Sequence, residues 1–168
     1  MKSVLFIVLL ACAGFLQTAN AQAPVGNGQS QLNAGIGLSS WGLPVYVGLD
    51  YGAARDITVG GEVSFRSYGE NWTGRKYNHT IIGISGNFNY HLNTVLKLPR
   101  QWNIYAGLNL GFYYWSSPSE YGGGGASGLG LGGQLGARYY FGQSTGINLE
   151  VGGGNAFSGG KIGLTFKL

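Results

Sequence analysis

Residues 102–115 read W-N-I-Y-A-G-L-N-L-G-F-Y-Y-W, and this stretch decides the fold. Every second residue from Trp102 to Tyr114 is apolar or aromatic, and the residues between them are mostly glycine, asparagine and tyrosine. A period of two indicates a β-strand with two unlike faces, because successive side chains point to opposite sides of the pleat. Soluble strands usually have about 5–6 residues, and a membrane-crossing strand needs about 9–11. The stretch is long enough to cross a membrane.

The same alternation recurs along the rest of the chain and predicts eight strands. They cover residues 31–39, 45–51, 57–68, 79–92, 102–115, 128–141, 146–153 and 160–168. Only 10% of residues are charged, against about 25% in ordinary soluble domains, so something other than water covers much of the surface. In lipid every backbone polar group must pair within the protein. We therefore predict an all-β, eight-stranded antiparallel up-and-down transmembrane β-barrel over residues 31–168.

The N-terminus has the features of an export signal. Lys2 precedes the apolar run 4–16, and small residues allow cleavage after 21 or 23. We expect residues 1–21 to be a signal peptide and residues 22–30 to be a flexible lead-in. A lipid-attachment box at Cys12 is the alternative. Cys12 is the only cysteine, so a chain cleaved after 21 has neither disulfides nor thiolate chemistry.

Charges on the predicted strands share the face that carries the glycines. A basic residue facing mid-depth lipid costs roughly 2–4 kcal/mol, whereas charges inside a barrel can pair. Arg138 and Glu150 flank one turn and are expected to form a buried pair that plugs the lumen. The alternative is a gate in which Arg138 changes partner to Asp50 or Glu62. The candidates for ion pairs in the lumen are Asp50, Glu62, Arg66, Arg138, Glu150 and Lys161.

Aromatic residues gather at the strand ends next to the shorter predicted turns. Tyrosine, tryptophan and phenylalanine at such positions form the interface girdles of membrane barrels. The predicted girdle consists of Tyr51, Tyr90, Trp102, Tyr139, Phe141 and Phe166.

The signal, the eight strands and the terminal strand resemble one known family. Ile162, Leu164 and Phe166 alternate toward the last residue, Leu168. This pattern is similar to the small Gram-negative outer-membrane β-barrels of the OmpX and OmpA-barrel type, and to the glycine-rich "outer membrane protein beta-barrel" domains. The family often ends in phenylalanine, and here leucine is last. The resemblance implies a bacterial outer-membrane location and transient contact with the barrel-assembly machinery.

Few residues suggest chemistry. Some barrels of this size are lipid A-modifying enzymes that use histidine with serine and an acid, and His79 has Ser64, Ser67 and Glu70 nearby in sequence. No local pattern of such enzymes is matched, so His79 is expected to be a loop-base residue. No cluster suggests a metal or cofactor. The net charge of +4 is scattered, which argues against nucleic acid binding.

The expected function is therefore non-enzymatic. We expect a monomer in outer-membrane lipid with a structural or surface-interaction role, acting through the polar loops 69–78 and 116–127. Three alternatives stay open. They are a narrow channel with a glycine-lined interior, a lipid A-modifying enzyme and a soluble lipocalin-like carrier.

Overall fold

Eight antiparallel strands form a closed barrel in chain order. The computed structural model describes residues 25–39, 42–118, 120, 122, 127–154 and 159–168, so the predicted signal peptide lies outside the described residues. The strands are β1 Ser30–Ser39, β2 Val45–Ala54, β3 Ile57–Trp72, β4 Arg75–His91, β5 Trp102–Ser116, β6 Gly128–Tyr140, β7 Thr145–Gly154 and β8 Gly159–Lys167. The predicted fold class is confirmed.

The barrel closes where the first strand meets the last. β1 pairs with β8 from Gln31↔Lys167 to Ser39↔Gly159, so the sheet has no open edge. We call the end that holds the start of β1 and the end of β8 the terminus end, and the opposite end the loop end. A short helix, α1 (Asn93–Leu96), lies in the β4–β5 connection at the terminus end. Among the described residues, no helix is long and apolar enough to span a membrane.

The two faces of the sheet have opposite polarity. Apolar side chains point outward and stay exposed, as at Leu129 (70%) and Leu110 (59%). Polar side chains point inward and are buried, as at Asn103 and Thr165, both 0% exposed. A soluble carrier needs the reverse arrangement, with a polar coat outside. The structure therefore contradicts the lipocalin-like alternative.

The apolar band on β3 has a defined upper limit. Outward residues are mostly apolar from Ile57 to Phe65, a span of nine residues. Nine residues at about 3.3 Å of rise and a tilt of about 40° span about 23 Å, close to the ~25 Å band of membrane barrels. Above Phe65 the outward positions are Ser67, Gly69 and Asn71, so the strand continues into a polar environment.

The stretch 69–78, predicted as a polar loop, is instead the upper part of a β-hairpin. β3 and β4 stay paired up to Trp72↔Arg75, and only Thr73 and Gly74 form the turn. Both turn residues have positive φ, 47° and 81°, as a two-residue type I′ turn requires. The alternation of apolar and polar residues disappears here because both faces of this segment are polar. We call residues 69–78 the surface hairpin.

Residues 25–29, predicted as part of a flexible lead-in, lie against β2 at the terminus end. Val25 is 3% exposed. Gly28 N donates to Gly52 O, and Gly52 N donates to Gln29 O, both at 2.9 Å. A Cβ at Gly52 would lie 2.1 Å from Gly26 O, so glycine is needed for this close approach.

Candidate functional site

A buried ion pair crosses the lumen near the terminus end. Arg138 Nη2 donates to Asp50 Oδ2 at 2.7 Å, and both side chains are 2% exposed. The guanidinium carbon of Arg138 also lies 4.3 Å from the ring centroid of Tyr105. Sequence reasoning paired Arg138 with Glu150, and this pairing is corrected. Glu150 is diagonal to Arg138 on the neighbouring strand, but the carboxylate that reaches Arg138 comes from β2, across the barrel.

Hydrogen bonds hold this pair in a filled layer, which we call the lower lumen. Asn33 Nδ2 donates to Asp50 at 2.9 Å, and Tyr140 bonds to Gln31. The Tyr105 hydroxyl lies 2.8 Å from Glu150 Oε2. His91 contacts Thr58 and Asn103 on its two sides. The interior of an eight-stranded barrel is just wide enough for side chains, and these buried groups fill it at this level. The layer includes Gln31, Asp50, Thr58, Asn89, His91, Asn103, Tyr105, Arg138 and Tyr140.

Inward glycines make room for these larger side chains. A Cβ at Gly136 would lie 2.1 Å from Tyr105 Cζ, and one at Gly107 would lie 2.1 Å from Asn89 Oδ1. One at Gly163 would lie 2.5 Å from the Tyr46 hydroxyl. Sequence reasoning took the glycine-lined interior as free volume that supports a channel. The structure contradicts that interpretation at these positions, because neighbouring side chains already occupy the space.

A second cluster of charges lies closer to the loop end, in what we call the upper lumen. Lys161 Nζ is 2.7 Å from Glu62 Oε1 and 3.1 Å from Glu150 Oε1. The side chain of Lys161 is 22% exposed, and each glutamate is 11% exposed. One cation therefore holds two carboxylates at a depth that solvent still reaches.

Arg66 lies above this cluster and has no such partner. It is 3% exposed, and its Nη1 donates to Ser39 Oγ at 3.1 Å. Its Nε has no hydrogen-bond partner among the described residues. All six predicted lumen residues point inward, and the other five take part in ion pairs. A cavity of about 40 Å³ is lined by Arg66 and by the Glu62–Lys161–Glu150 cluster.

His79 lies inward near the loop end and is fully buried. Its Nδ1 is 2.9 Å from Ser117 Oγ, and its Nε2 is 3.9 Å from Glu70 Oε2. Trp115 Nε1 also donates to Ser117 Oγ, at 3.0 Å. A serine–histidine–acid relay needs the acid within hydrogen-bonding distance of the imidazole, and 3.9 Å is too long for that bond.

The structure pairs His79 with a serine that sequence reasoning missed. Ser64 lines the upper-lumen cavity, and Ser67 lies on the outward face. Ser117 is 38 residues from His79 in sequence and comes next to it only because β4 pairs with β5. The two strands pair with Thr80 opposite Ser116, which places His79 beside Ser117. A prediction of this register would have identified the contact.

The six predicted girdle residues all lie on the outward face at the terminus end. Five are 41–60% exposed, and Phe166 is half-buried. Trp102 and Tyr139 face each other across the β5–β6 ladder with ring centroids 5.0 Å apart. Amphipathic rings at this height suit a membrane–water interface.

Comparison with solved structures identifies the fold. The chain is similar to the outer membrane protein OprG from Pseudomonas aeruginosa, with a TM-score of 0.64 and 12% identity over 89% of this chain and 99% of that one. The N-terminal β-barrel domain of Pseudomonas aeruginosa OprF gives 0.60 and 15% over 85% and 99%. Neisserial surface protein A gives 0.54 and 14% over 83% and 95%.

No protein-family model matches the chain, and no curated protein does. At identities of 12–15% the structural likeness establishes the fold alone. The chain therefore has the fold of the small eight-stranded outer-membrane β-barrels, as its sequence pattern predicted.

Proposed function

We propose that this protein is an integral protein of the bacterial outer membrane. In this proposal the barrel is a closed anchor that presents the surface hairpin to the exterior as an interaction element. The apolar outward band supports residence in lipid. The export signal expected at residues 1–21 and the outer-membrane origin of the similar structures support the choice of membrane.

The observation that carries this proposal is the projection of the surface hairpin beyond the apolar band. Arg75 and Lys76 are exposed, and Arg75 lies 4.0 Å from Glu120 of the β5–β6 connection. A paired hairpin with a two-residue turn is a pre-ordered element, so a partner that binds it loses little entropy in ordering it. We propose that the partner binds at this hairpin and the adjacent β5–β6 connection.

Orientation follows from the general asymmetry of such barrels. The extended parts of such barrels face outward, and the surface hairpin extends beyond the apolar band at the loop end, so we assign the loop end to the cell surface. We propose outer-membrane lipid as the permanent surrounding of a monomer, with the barrel-assembly machinery as a transient partner during insertion. Lower-lumen packing supports a structural barrel over a channel. The 3.9 Å separation of Glu70 from His79 supports a non-enzymatic role.

Single-cysteine labelling in intact cells tests the orientation and the exposure of the hairpin. Cleavage after residue 21 removes Cys12, so an introduced cysteine is unique. We expect Thr73→Cys at the hairpin tip to react with a membrane-impermeant maleimide on intact cells. Gln143→Cys, in the β6–β7 turn at the terminus end, is the matched control and should react only after the outer membrane is permeabilised.

Labelling of Gln143→Cys but not Thr73→Cys on intact cells would show that the barrel has the opposite orientation. The surface hairpin would then face the periplasm and could not bind a partner outside the cell. Reaction of both cysteines in a fraction that needs no detergent for extraction would contradict the membrane location itself.

Planar-bilayer recording tests the closed lumen separately. We expect no stable open state from the wild-type protein and a measurable conductance from Tyr105→Ala, which removes one of the two tyrosine side chains of the lower lumen. A reproducible open state in the wild type would favour the channel alternative.

A further inference from the structure

We propose that the upper lumen binds a small monoanion of the formate or halide class, held on Arg66 and admitted from the loop end. This site is independent of the surface hairpin, because it lies inside the barrel. It would bind the anion without passing it on, because the lower lumen closes the barrel beneath it.

The first step of the argument is the state of the Arg66 guanidinium. A buried cation is costly unless a partner of opposite charge or several hydrogen bonds compensate it. Arg66 is 3% exposed, yet among the described residues its side chain hydrogen-bonds only to the neutral Ser39 hydroxyl, and its Nε has no partner there. The group is therefore desolvated and left with donor capacity that an anion can use.

The second step is that every carboxylate of the chain is placed elsewhere. The sequence has six acidic residues, and all six lie in the part that the structure describes. None lies within ion-pair distance of Arg66. Asp50 pairs with Arg138, Asp56 with Arg55, Glu120 with Arg75, and both Glu62 and Glu150 with Lys161. Glu70 lies 3.9 Å from His79 Nε2.

The third step is the cavity beside Arg66. Its volume of about 40 Å³ corresponds to about three waters, which is room for formate or a halide. Ser64 lines its wall, and Leu38, Pro44 and Gly159 line it where β1, β2 and β8 reach the loop end. The cavity therefore lies toward that end.

The fourth step is the charge around the cavity, which selects the class of anion. Nε and an Nη of one guanidinium lie in one plane and match the two oxygens of a carboxylate. Glu62 and Glu150 form the floor, and their two charges exceed the single charge of Lys161 that lies between them. This floor disfavours a dianion such as sulfate, because like charges repel.

Bromide NMR line broadening on the full barrel in nonionic detergent tests the site. We expect wild-type protein to broaden the bromide signal saturably, formate to reverse the broadening, and sulfate at equal ionic strength to reverse it far less. Arg66→Gln should weaken bromide binding by at least about tenfold, because it removes the charged donor. Arg75→Gln, an exposed arginine on the surface hairpin, is the matched control and should bind like wild type.

A second variant keeps the test decisive if Arg66→Gln does not fold, as judged by loss of heat-modifiable migration on a gel. Ser64→Leu fills the cavity and leaves Arg66 in place, and it should also abolish the broadening. Equal broadening by wild type and by folded Arg66→Gln would overturn the proposal. So would broadening that formate does not reverse, or that sulfate reverses equally well.

Discussion

Two buried arginines inside the same barrel differ in their partners. Arg138 in the lower lumen and Arg66 in the upper lumen are 2% and 3% exposed. Arg138 has the Asp50 carboxylate at 2.7 Å and the Tyr105 ring next to its guanidinium. Arg66 hydrogen-bonds to the Ser39 hydroxyl and lines a cavity. Equal burial therefore serves different purposes. A paired charge closes the barrel, and a charge without a carboxylate partner beside a cavity is open to a ligand.

The largest effect is expected when the paired arginine is removed. Arg138→Gln leaves the Asp50 carboxylate buried without its cation, so the free energy of unfolding should fall by about 3–5 kcal/mol. Urea unfolding in lipid vesicles, followed by tryptophan fluorescence, measures this loss. Arg55→Gln, whose side chain is 83% exposed, is the control and should change little. A loss below 1 kcal/mol in Arg138→Gln would contradict the structural role of the lower lumen.

A smaller effect is expected from crowding the lower lumen without changing its charge. A Cβ at Gly136 would overlap the Tyr105 ring, so Gly136→Ala should cost about 1–3 kcal/mol in unfolding free energy. The same measurement on Gly133→Ala provides the control, because its Cβ would have no neighbour closer than 3.9 Å. In a Tyr105→Ala background the cost of Gly136→Ala should largely vanish. Equal costs in both backgrounds would show that Tyr105 does not set the requirement for glycine.

Removal of Arg66 should have a smaller effect still. In anion-free buffer, Arg66→Gln removes a desolvated charge that has no carboxylate within ion-pair distance, so stability should change by less than about 1 kcal/mol or rise. Adding formate should then raise the unfolding midpoint of wild type and leave that of the variant unchanged. If Arg66→Gln lowered the free energy of unfolding as much as Arg138→Gln, Arg66 would be a structural residue like Arg138.

The smallest effect is expected at the rim. Arg75 and Glu120 are both more than 70% exposed at 4.0 Å, and such surface pairs contribute little. Arg75→Gln should therefore change the unfolding midpoint by no more than the scatter between repeat titrations. A clear loss would mean that the surface hairpin contributes to the stability of the barrel itself.

Alternation along each strand predicted most of this architecture. Parity put Asp50, Arg66 and Arg138 on one face, and the cost of a charge in lipid made that face the inward one. Partners across the lumen do not follow from parity, since they depend on the tilt and stagger of the closed barrel. That is why the sequence paired Arg138 with Glu150 and offered Asp50 only as the alternative partner in a gate, whereas the structure pairs Arg138 with Asp50.

The loop end was the least predictable region for a related reason. Above Phe65 neither face of β3 contacts lipid. The sequence there lacks the alternation of apolar and polar residues from which the other strands were predicted. The Thr73–Gly74 turn was the one local sign of a hairpin there. Ser117 was missed because its contact with His79 depends on strand register rather than on a short motif.

The long sequence separation of the lumen contacts has a consequence for how the molecule is made. Asp50 and Arg138 are 88 residues apart, Gln31 and Tyr140 are 109 apart, and Asn33 and Thr165 are 132 apart. Because they join strands that are far apart in the strand order, these bonds form only as the sheet curls and its edges approach each other. Such non-local contacts slow folding, since their loop-closure entropy must be lost first. We therefore expect these long-range hydrogen bonds to form late in folding, and to stabilise the barrel only after β1 has paired with β8.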